Sequence, residues 1–282
     1  MQINFNYHTH TTLCDGKSTF EDYIKVAFER NIKFLGFSSH YHLNFCPEWT
    51  IKAEDIDNYL KIVNELKIKY NNKIEIFLGF EVDYIPGLLY PSKELIQKHS
   101  LDYVIGSVHF AGRNEKEEYW PIDGPFDLFE KGLNEIYGGD VQKAVETYYN
   151  LITEMVLKYE PTIIGHIDLI KLNNKKEYFF KESEKWYRNI VLKTLDNIAK
   201  RNSLLEINTG GITRNKIDSI YPSDWILYEI LKRNIKITVS SDAHQAEHLD
   251  GYFKELQYIL KNIGFKKAYY LTYSGIKEWK IY

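Results

Sequence analysis

The chain alternates between two hydrophobic rhythms: short apolar runs of strand length, and longer stretches in which apolar positions recur at helical spacing. The first run, Gln2 to Tyr7, places Ile3, Phe5 and Tyr7 on one side. A capping-box pattern, Ser18-Thr19-Phe20-Glu21, then opens a helix carrying Phe20, Ile24, Ala27 and Phe28. Phe34 to Ser39 predicts a second strand, and Ala53 to Tyr70 a second helix through Ile56, Leu60, Val63 and Leu66. Ile74 to Phe80 predicts a third strand. Pro91-Ser92-Lys93-Glu94 has the form of a first helical turn, where proline loses no hydrogen bond. Tyr103 to Val108 is a fourth strand, followed by a long charged excursion from Phe110 to Gly124. Loops of that length in compact domains are often functional, and this one is expected to form a lid or a substrate wall. Helices are predicted over Phe126 to Tyr137 and Val141 to Tyr159, split by the helix-ending pair Gly138-Gly139, and again over Glu182 to Arg201, Pro222 to Arg233 and Leu249 to Ile263. Strands are predicted at Thr162 to Gly165, Leu204 to Asn208 and Ile235 to Ser240, with a possible closing strand at Ala268 to Thr272.

Strands that alternate with helices imply βαβ units and parallel pairing, and seven or eight of them favour a closed α/β barrel over an open sheet. In such barrels the loops at the C-terminal strand ends converge, so functional groups gather there. The residue just past each strand is therefore informative. The first strand hands on His8 and His10, with Asp15 shortly after; later strands end on His40, Glu81, His109 and His166, and the seventh runs into Asp242 and His244. In a strand-like His-x-His both imidazoles face the same way. Imidazole mixed with carboxylate suits divalent zinc, iron or manganese. Taken singly, each residue has a plainer reading as a hydrogen-bonded histidine or a turn carboxylate, but their coincidence at six strand ends is much harder to obtain by chance. Nine such side chains are too many for one four-coordinate ion and enough for two or three, with Glu81 and Asp242 as natural bridges.

Composition narrows the partners. With 282 residues, 44% hydrophobic and 15% aromatic, and no linker, low-complexity tract or short repeat, residues 1-282 are expected to form a single domain. The 36 basic and 39 acidic residues leave a formal charge of −3, which gives no broad attraction to nucleic acid or membrane. No basic leader precedes an apolar run and no run is long enough to span a bilayer, so a soluble, cytoplasmic protein is expected. Cys14 and Cys46 are too few for a disulfide framework and fit a reducing compartment; Cys14, inside the opening motif, is expected to be a plain buried thiol.

His8-Thr9-His10 with Asp15, Ser39-His40, Glu81, His109, Gly165-His166 and Asp242-Ala243-His244 resemble the ordered motifs of the polymerase-and-histidinol-phosphatase (PHP) superfamily. The resemblance runs from His8 to His244. It implies a distorted (β/α)7 TIM-like barrel of PHP type, a trinuclear metal centre with those nine residues as ligands, and hydrolysis of phosphoesters. Gly79 to Tyr84, Ser107 to Phe110, Trp120 to Asp123, Gly165 to Asp168 and Glu206 to Thr209 are similar to the corresponding stretches of histidinol-phosphate phosphatases, which implies L-histidinol phosphate as the substrate, in histidine biosynthesis. Where the family often has an acidic residue before the second-motif histidine, this chain has Ser39.

Phosphate monoesters hydrolyse extremely slowly unaided, so a catalyst must make a nucleophile and neutralise phosphoryl charge. Clustered divalent ions do both, through a bridging hydroxide and by holding the ester oxygens. The expected protein cations on the phosphate are Arg214, as a bidentate fork, and Lys171, five residues beyond His166, as a point charge. Asp83 and Asp168 are candidates to orient ligands or bind a substrate amine, and His42 to protonate the leaving alkoxide. His99 and His248 fall in helical stretches and read as surface residues, and the 23 tyrosines read as packing. Three alternatives remain: a phosphoesterase of the same superfamily acting on another small ester, a nuclease, which the charge disfavours, and a non-catalytic metal-binding module. The residues do not fix the oligomeric state.

Overall fold

Strand and helix alternate through the computed structural model, which describes residues 2–281. In chain order the elements are β1 (Phe5–Asn6), α1 (Phe20–Glu29), β2 (Phe34–Phe37), α2 (Ile56–Lys69), β3 (Glu75–Asp83), α3 (Lys93–His99), β4 (Tyr103–Ser107), β5 (Phe110–Arg113), β6 (Tyr119–Pro121), α4 (Phe126–Tyr137), α5 (Val141–Tyr159), β7 (Ile163–Ile164), α6 (Lys185–Ile198), β8 (Leu204–Asn208), α7 (Gly210–Thr213), α8 (Asp224–Lys232), β9 (Ile237–Ser240), α9 (Phe253–Ile263), β10 (Lys267–Thr272) and β11 (Gly275–Lys280). The order β1-β2-β3-β4-β7-β8-β9 forms one sheet, parallel at every pairing. The strand β3 is its spine: Glu75 to Leu78 pair with β2, and Gly79 to Asp83 with β4. That stagger is what lets a sheet curl towards closure.

Closure is made at the C-terminal mouth. Beyond the ends of β1 and β9, Thr9 and Ala243 form a single parallel bridge, with His10 N donating to Ala243 O at 2.8 Å and Ala243 N to His8 O at 3.1 Å. Below it the Asn6 amide donates to Ser241 Oγ (2.6 Å) and Leu249 O (2.8 Å), and Tyr23 Oη sits 2.9 and 2.7 Å from the carbonyls of His10 and Ala243. The result is a distorted seven-stranded β/α barrel. Tyr103 fills its interior, donating to Tyr7 O at 2.5 Å, and two glycines make room for it: a Cβ at Gly36 would lie 2.3 Å from the phenolic oxygen, and one at Gly79 2.5 Å from the ring.

Several sequence expectations shift in register or role. The capping box of α1 is made by Thr19 and Asp22, one residue later than the Ser18 and Glu21 pattern, because Ser18 is buried and its Oγ accepts from Ala246 N instead. The excursion Phe110 to Gly124 is ordered by a small antiparallel ribbon, β5 with β6. The stretch Ala268 to Thr272 is not an eighth barrel strand. It is the first arm of an antiparallel hairpin, β10 with β11, folded against the N-terminal end of the barrel. Its aromatic side chains explain the placement: Tyr270 stacks on Phe5 with centroids 5.4 Å apart, Trp279 meets the same ring edge-on at 6.2 Å, and Leu271 O accepts from Tyr7 Oη at 2.7 Å. No described helix is long and apolar enough to cross a membrane.

Trp279 is 5% exposed although it lies on a terminal hairpin. Trp279→Ala is expected to destabilise the fold by about 3–5 kcal/mol in urea unfolding, the range for removing a large buried aromatic. A loss under about 0.5 kcal/mol, the size of a neutral surface change, would show that the barrel floor does not need the hairpin.

Candidate metal centre

Six strands of the barrel bring metal-competent residues to the mouth, five of them from just past the strand end. The exception is Glu81, which lies within β3 and is 1% exposed. Imidazoles from four other strands surround it. Its Oε2 lies 2.9 Å from His8 Nε2, 3.1 Å from His40 Nδ1 and 3.4 Å from His10 Nε2. Its Oε1 lies 3.1 Å from His166 Nε2 and 3.6 Å from His109 Nε2, and accepts from Ser107 Oγ at 2.6 Å.

Asp242 and Asp15 complete the ring. Asp242 Oδ1 is 3.2 Å from His10 Nε2 and 3.7 Å from His8 Nε2. Its backbone is left-handed, with φ 47°, a conformation aspartate tolerates better than most residues and one that turns the chain sharply out of β9. Asp15 Oδ2 is 3.0 Å from His244 Nε2, and its Oδ1 is 3.6 Å from His10 Nδ1. All nine strand-end residues singled out in the sequence therefore meet at one place. Seven of them, all but His8 and His10, border a cavity of about 280 Å³, whose wall also includes Trp49, Asp123, Leu128, Arg214, Lys216 and Tyr221.

Two acids behind the ring fix imidazole orientation. Glu206 Oε1 lies 2.6 Å from His8 Nδ1, and Asp83 Oδ1 lies 2.9 Å from His109 Nδ1 while accepting from His109 N. Each carboxylate holds one ring nitrogen as a donor, which turns the other nitrogen towards the centre, where it can ligate a metal once its proton is lost. Burial opposes charge on these histidines, yet Glu206, Glu81 and Asp242 outweigh it and raise His8, while Asp83 and Glu81 push His109 up to about 10. His40 and His10 go the other way, held neutral chiefly by burial. Burial alone would raise Glu81, but His8, His40 and His109 hold it well below the usual carboxylate range.

The residues fit divalent metal. His10 Nε2, His40 Nδ1 and Asp15 Oδ1 are buried and come within ion-pair distance of opposite groups without meeting hydrogen-bond geometry. Ligand atoms of His10, Asp15, His40 and His244 lie within 4.8 Å of one another, as do those of three further groups: His8, His10 and Asp242; His8, Glu81 and His166; His40, Asp83 and His109. A buried cluster of neutral imidazoles and ionised carboxylates is the donor set that zinc, iron or manganese takes.

The outer residues divide. Arg214 reaches the cavity, with Nη2 3.0 Å from Asp242 Oδ2 and Nη1 hydrogen-bonded to Asp242 O and 2.5 Å from His244 Nδ1. Lys171 does not: its ammonium is 3% exposed and held by Asp168 (2.8 Å), Ile220 O (2.8 Å) and Ser223 Oγ (2.7 Å), so it has no free donor for a phosphate. Asp168 is correspondingly an anchor for Lys171 and Ser223 and lies off the cavity wall. Asp83 orients His109 and lies off the cavity wall. His42 also lies off the wall, with Nδ1 at Ile51 O (3.0 Å) and Nε2 at Asn44 Oδ1 (2.6 Å), so the general-acid assignment is not supported. Cys14 is half-buried, 3.7 Å from His10 Nδ1, and burial with the nearby Asp15 pushes its thiol up to about 12, which disfavours the thiolate a metal would need. His99 and His248 are half-buried rather than fully exposed. Sequence reasoning gave Glu206 no role, although a carboxylate inside the apolar run Leu204-Leu205-Glu206-Ile207 carries the same signal as Glu81.

Fold and site together define a β/α-barrel protein with a buried histidine–carboxylate centre at its C-terminal mouth. The chain belongs to the PHP domain family, whose model matches residues 6–210. It is similar to the histidinol-phosphatase of Bacillus subtilis, 27% identical over 254 residues that make up 85% of this chain and 92% of that one. Its fold is shared by a Listeria monocytogenes protein solved as a candidate histidinol phosphatase (TM-score 0.77, 22% identity, 89% of this chain and 99% of that one). It is shared as well by the Lactococcus lactis histidinol phosphate phosphatase solved with zinc, L-histidinol and phosphate (TM-score 0.69, 19% identity, 97% and 98%).

Two outcomes are expected. Glu206→Gln should weaken metal retention by roughly 10–100-fold in a chelator competition, the usual cost of losing a carboxylate behind a ligating histidine. Unchanged retention would show that Glu206 does not orient His8. In addition, His109 at about 10 and the raised His8 carry protons at neutral pH, so the metal-free chain should release protons on taking up metal, read from the buffer dependence of the calorimetric enthalpy. Apparent affinity should accordingly rise between pH 6 and 9, and a flat profile would contradict the protonated imidazoles.

Proposed function

We propose that this chain is a metal-dependent phosphomonoesterase that hydrolyses L-histidinol phosphate to L-histidinol and phosphate. The observation that carries the reading is the ring of imidazoles around Glu81, backed by Asp15 and Asp242 and opening on a small cavity with an arginine on its wall. Relatives named histidinol-phosphatase that align over most of this chain support the substrate. On this reading His8, His10, Asp15, His40, Glu81, His109, His166, Asp242 and His244 are the metal ligands, in number enough for three ions of zinc, iron or manganese. Ions bound there would supply Lewis acidity, neutralising phosphoryl charge and acidifying a water.

The protein's own residues do the rest. Arg214 is placed to exchange its contacts with Asp242 and His244 for the phosphoryl oxygens, which a guanidinium binds in a bidentate fork. Asp123, also on the cavity wall, has no ion pair among the described residues and gives a cationic amine or imidazolium a counter-charge. Trp49, edge-on to His40 with centroids 4.7 Å apart, and Leu128 narrow the opening and exclude water. The cavity suits a small ester. A net charge of −3 gives no broad attraction to nucleic acid.

Elemental analysis of the purified protein paired with phosphate release tests this directly. Bound transition metal together with release of phosphate from L-histidinol phosphate is expected, with the activity abolished by chelation and restored by metal. If the ester is turned over no better than p-nitrophenyl phosphate, the substrate assignment fails and a broader phosphatase remains. Metal bound without any esterase activity would leave a binding module only.

A further inference from the structure

Seven of the large buried tyrosines of this barrel end on protein acceptors, and one at the site does not. Tyr7, Tyr23, Tyr59, Tyr103 and Tyr148 donate to backbone carbonyls, and Tyr149 and Tyr187 meet each other at 3.1 Å. Tyr221 is just as buried, at 2% exposure, and lines the metal-site cavity together with Arg214, Asp242 and His166. Its hydroxyl has no hydrogen-bond partner among the described residues. Packing alone would be served by phenylalanine, so an unpartnered phenol on a polar cavity is a donor kept for a ligand.

The chain around Tyr221 is held with unusual care. Its backbone is locked to the end of β8 by two hydrogen bonds, Asn208 N to Tyr221 O at 2.7 Å and Tyr221 N to Asn208 O at 2.9 Å. The ring sits over Gly211, where a Cβ would come 2.6 Å from Cε2, so only glycine leaves room for it. Its edge meets the His166 ring with centroids 6.4 Å apart. Behind it lies Lys171, whose Nζ is 5.2 Å from the ring centroid and grips Ile220 O and Ser223 Oγ, the residues on either side of Tyr221-Pro222. Asp168 neutralises that ammonium and also accepts from Ser223 N. The buried ion pair thus has a use beyond stability, since it fixes both ends of a short segment carrying one unpartnered donor.

We propose that the Tyr221 hydroxyl donates a hydrogen bond to an oxygen of the bound phosphoryl group, and that Lys171 is a positioning residue acting through Tyr221. The inference rests on the cavity being a phosphate-ester site. No proton is transferred in this role; the phenol stays protonated and supplies a neutral donor beside the charged fork of Arg214.

The test uses metal-loaded protein and inorganic phosphate as the probe. Tyr221→Phe keeps the ring and is expected to weaken phosphate binding about fivefold by calorimetry, the worth of one hydrogen bond, with metal content and melting temperature unchanged. Lys171→Met should weaken binding to a similar or smaller extent, and the Tyr221→Phe/Lys171→Met double variant should be no worse than Tyr221→Phe alone within about twofold, because the two act as one unit. Where Lys171→Met does not fold, Ser223→Ala takes its place in the cycle. Phosphate affinity of Tyr221→Phe equal to that of the unchanged protein overturns the proposal, as does an unchanged protein that binds no phosphate. Fully additive losses overturn the positioning role of Lys171. If Tyr221→Phe weakens phosphate binding but the unchanged protein does not hydrolyse L-histidinol phosphate, the inference stands and the substrate assignment fails.

Discussion

The structure depends on one carboxylate placed where it is least comfortable. Glu81 is almost fully buried inside a parallel sheet, and an isolated charge there would be prohibitively costly. It is stabilised by five imidazoles within 3.6 Å and by the Ser107 hydroxyl. Those imidazoles come from the ends of strands on both sides of β3, so Glu81 can be satisfied only when the sheet has curled far enough to bring all of them to one point. A second layer of acids, Asp83 and Glu206, then fixes which nitrogen each flanking ring presents. Local charge compensation and the global curvature of the barrel are two aspects of the same requirement.

Much of this was legible in the sequence because barrel topology turns position along a strand into position in space. Six of the apolar runs ended on a residue that could bind metal, and the runs were numerous enough to close, so the nine central residues could be read without any contact information. Legibility faded one shell out. Lys171 and Arg214 looked alike as basic residues on strand-end loops, yet Arg214 reaches the cavity and Lys171 is drawn back by Asp168 and Ser223, the latter 52 positions away. His42 follows His40 by two, but the chain has left the strand by then and the alternation that would carry it to the same face no longer applies. Glu206 was visible as a charge in an apolar strand, though not as the partner of a histidine 198 positions earlier.

The terminal hairpin shows the same limit in the fold itself. Ala268 to Thr272 read as a possible closing strand of the barrel, and it is a strand that joins a different sheet. That was decided by aromatic packing on Phe5 at the opposite end of the chain, and by a tight turn at Gly275, with φ 109°, which brings β11 back along β10. Tyrosines carry a similar double meaning: composition suggests packing, and several do donate to carbonyls inside the barrel, but only the three-dimensional arrangement separates those from Tyr221 on the wall of the site.

The seam between the first and last barrel strands has a consequence for how the molecule is assembled. Thr9 and Ala243 are the residues that bridge, and each is flanked on both sides by a member of the histidine–carboxylate ring: His8 and His10 on one strand, Asp242 and His244 on the other. This is among the most distant pairings in the sequence, so the entropy of closing the intervening loop must be met by nearly everything else having already formed. Bringing Asp242 and His244 against His8 and His10 therefore depends on that last closure, whereas His40, Glu81, His109 and His166 are already gathered by strands that pair in succession.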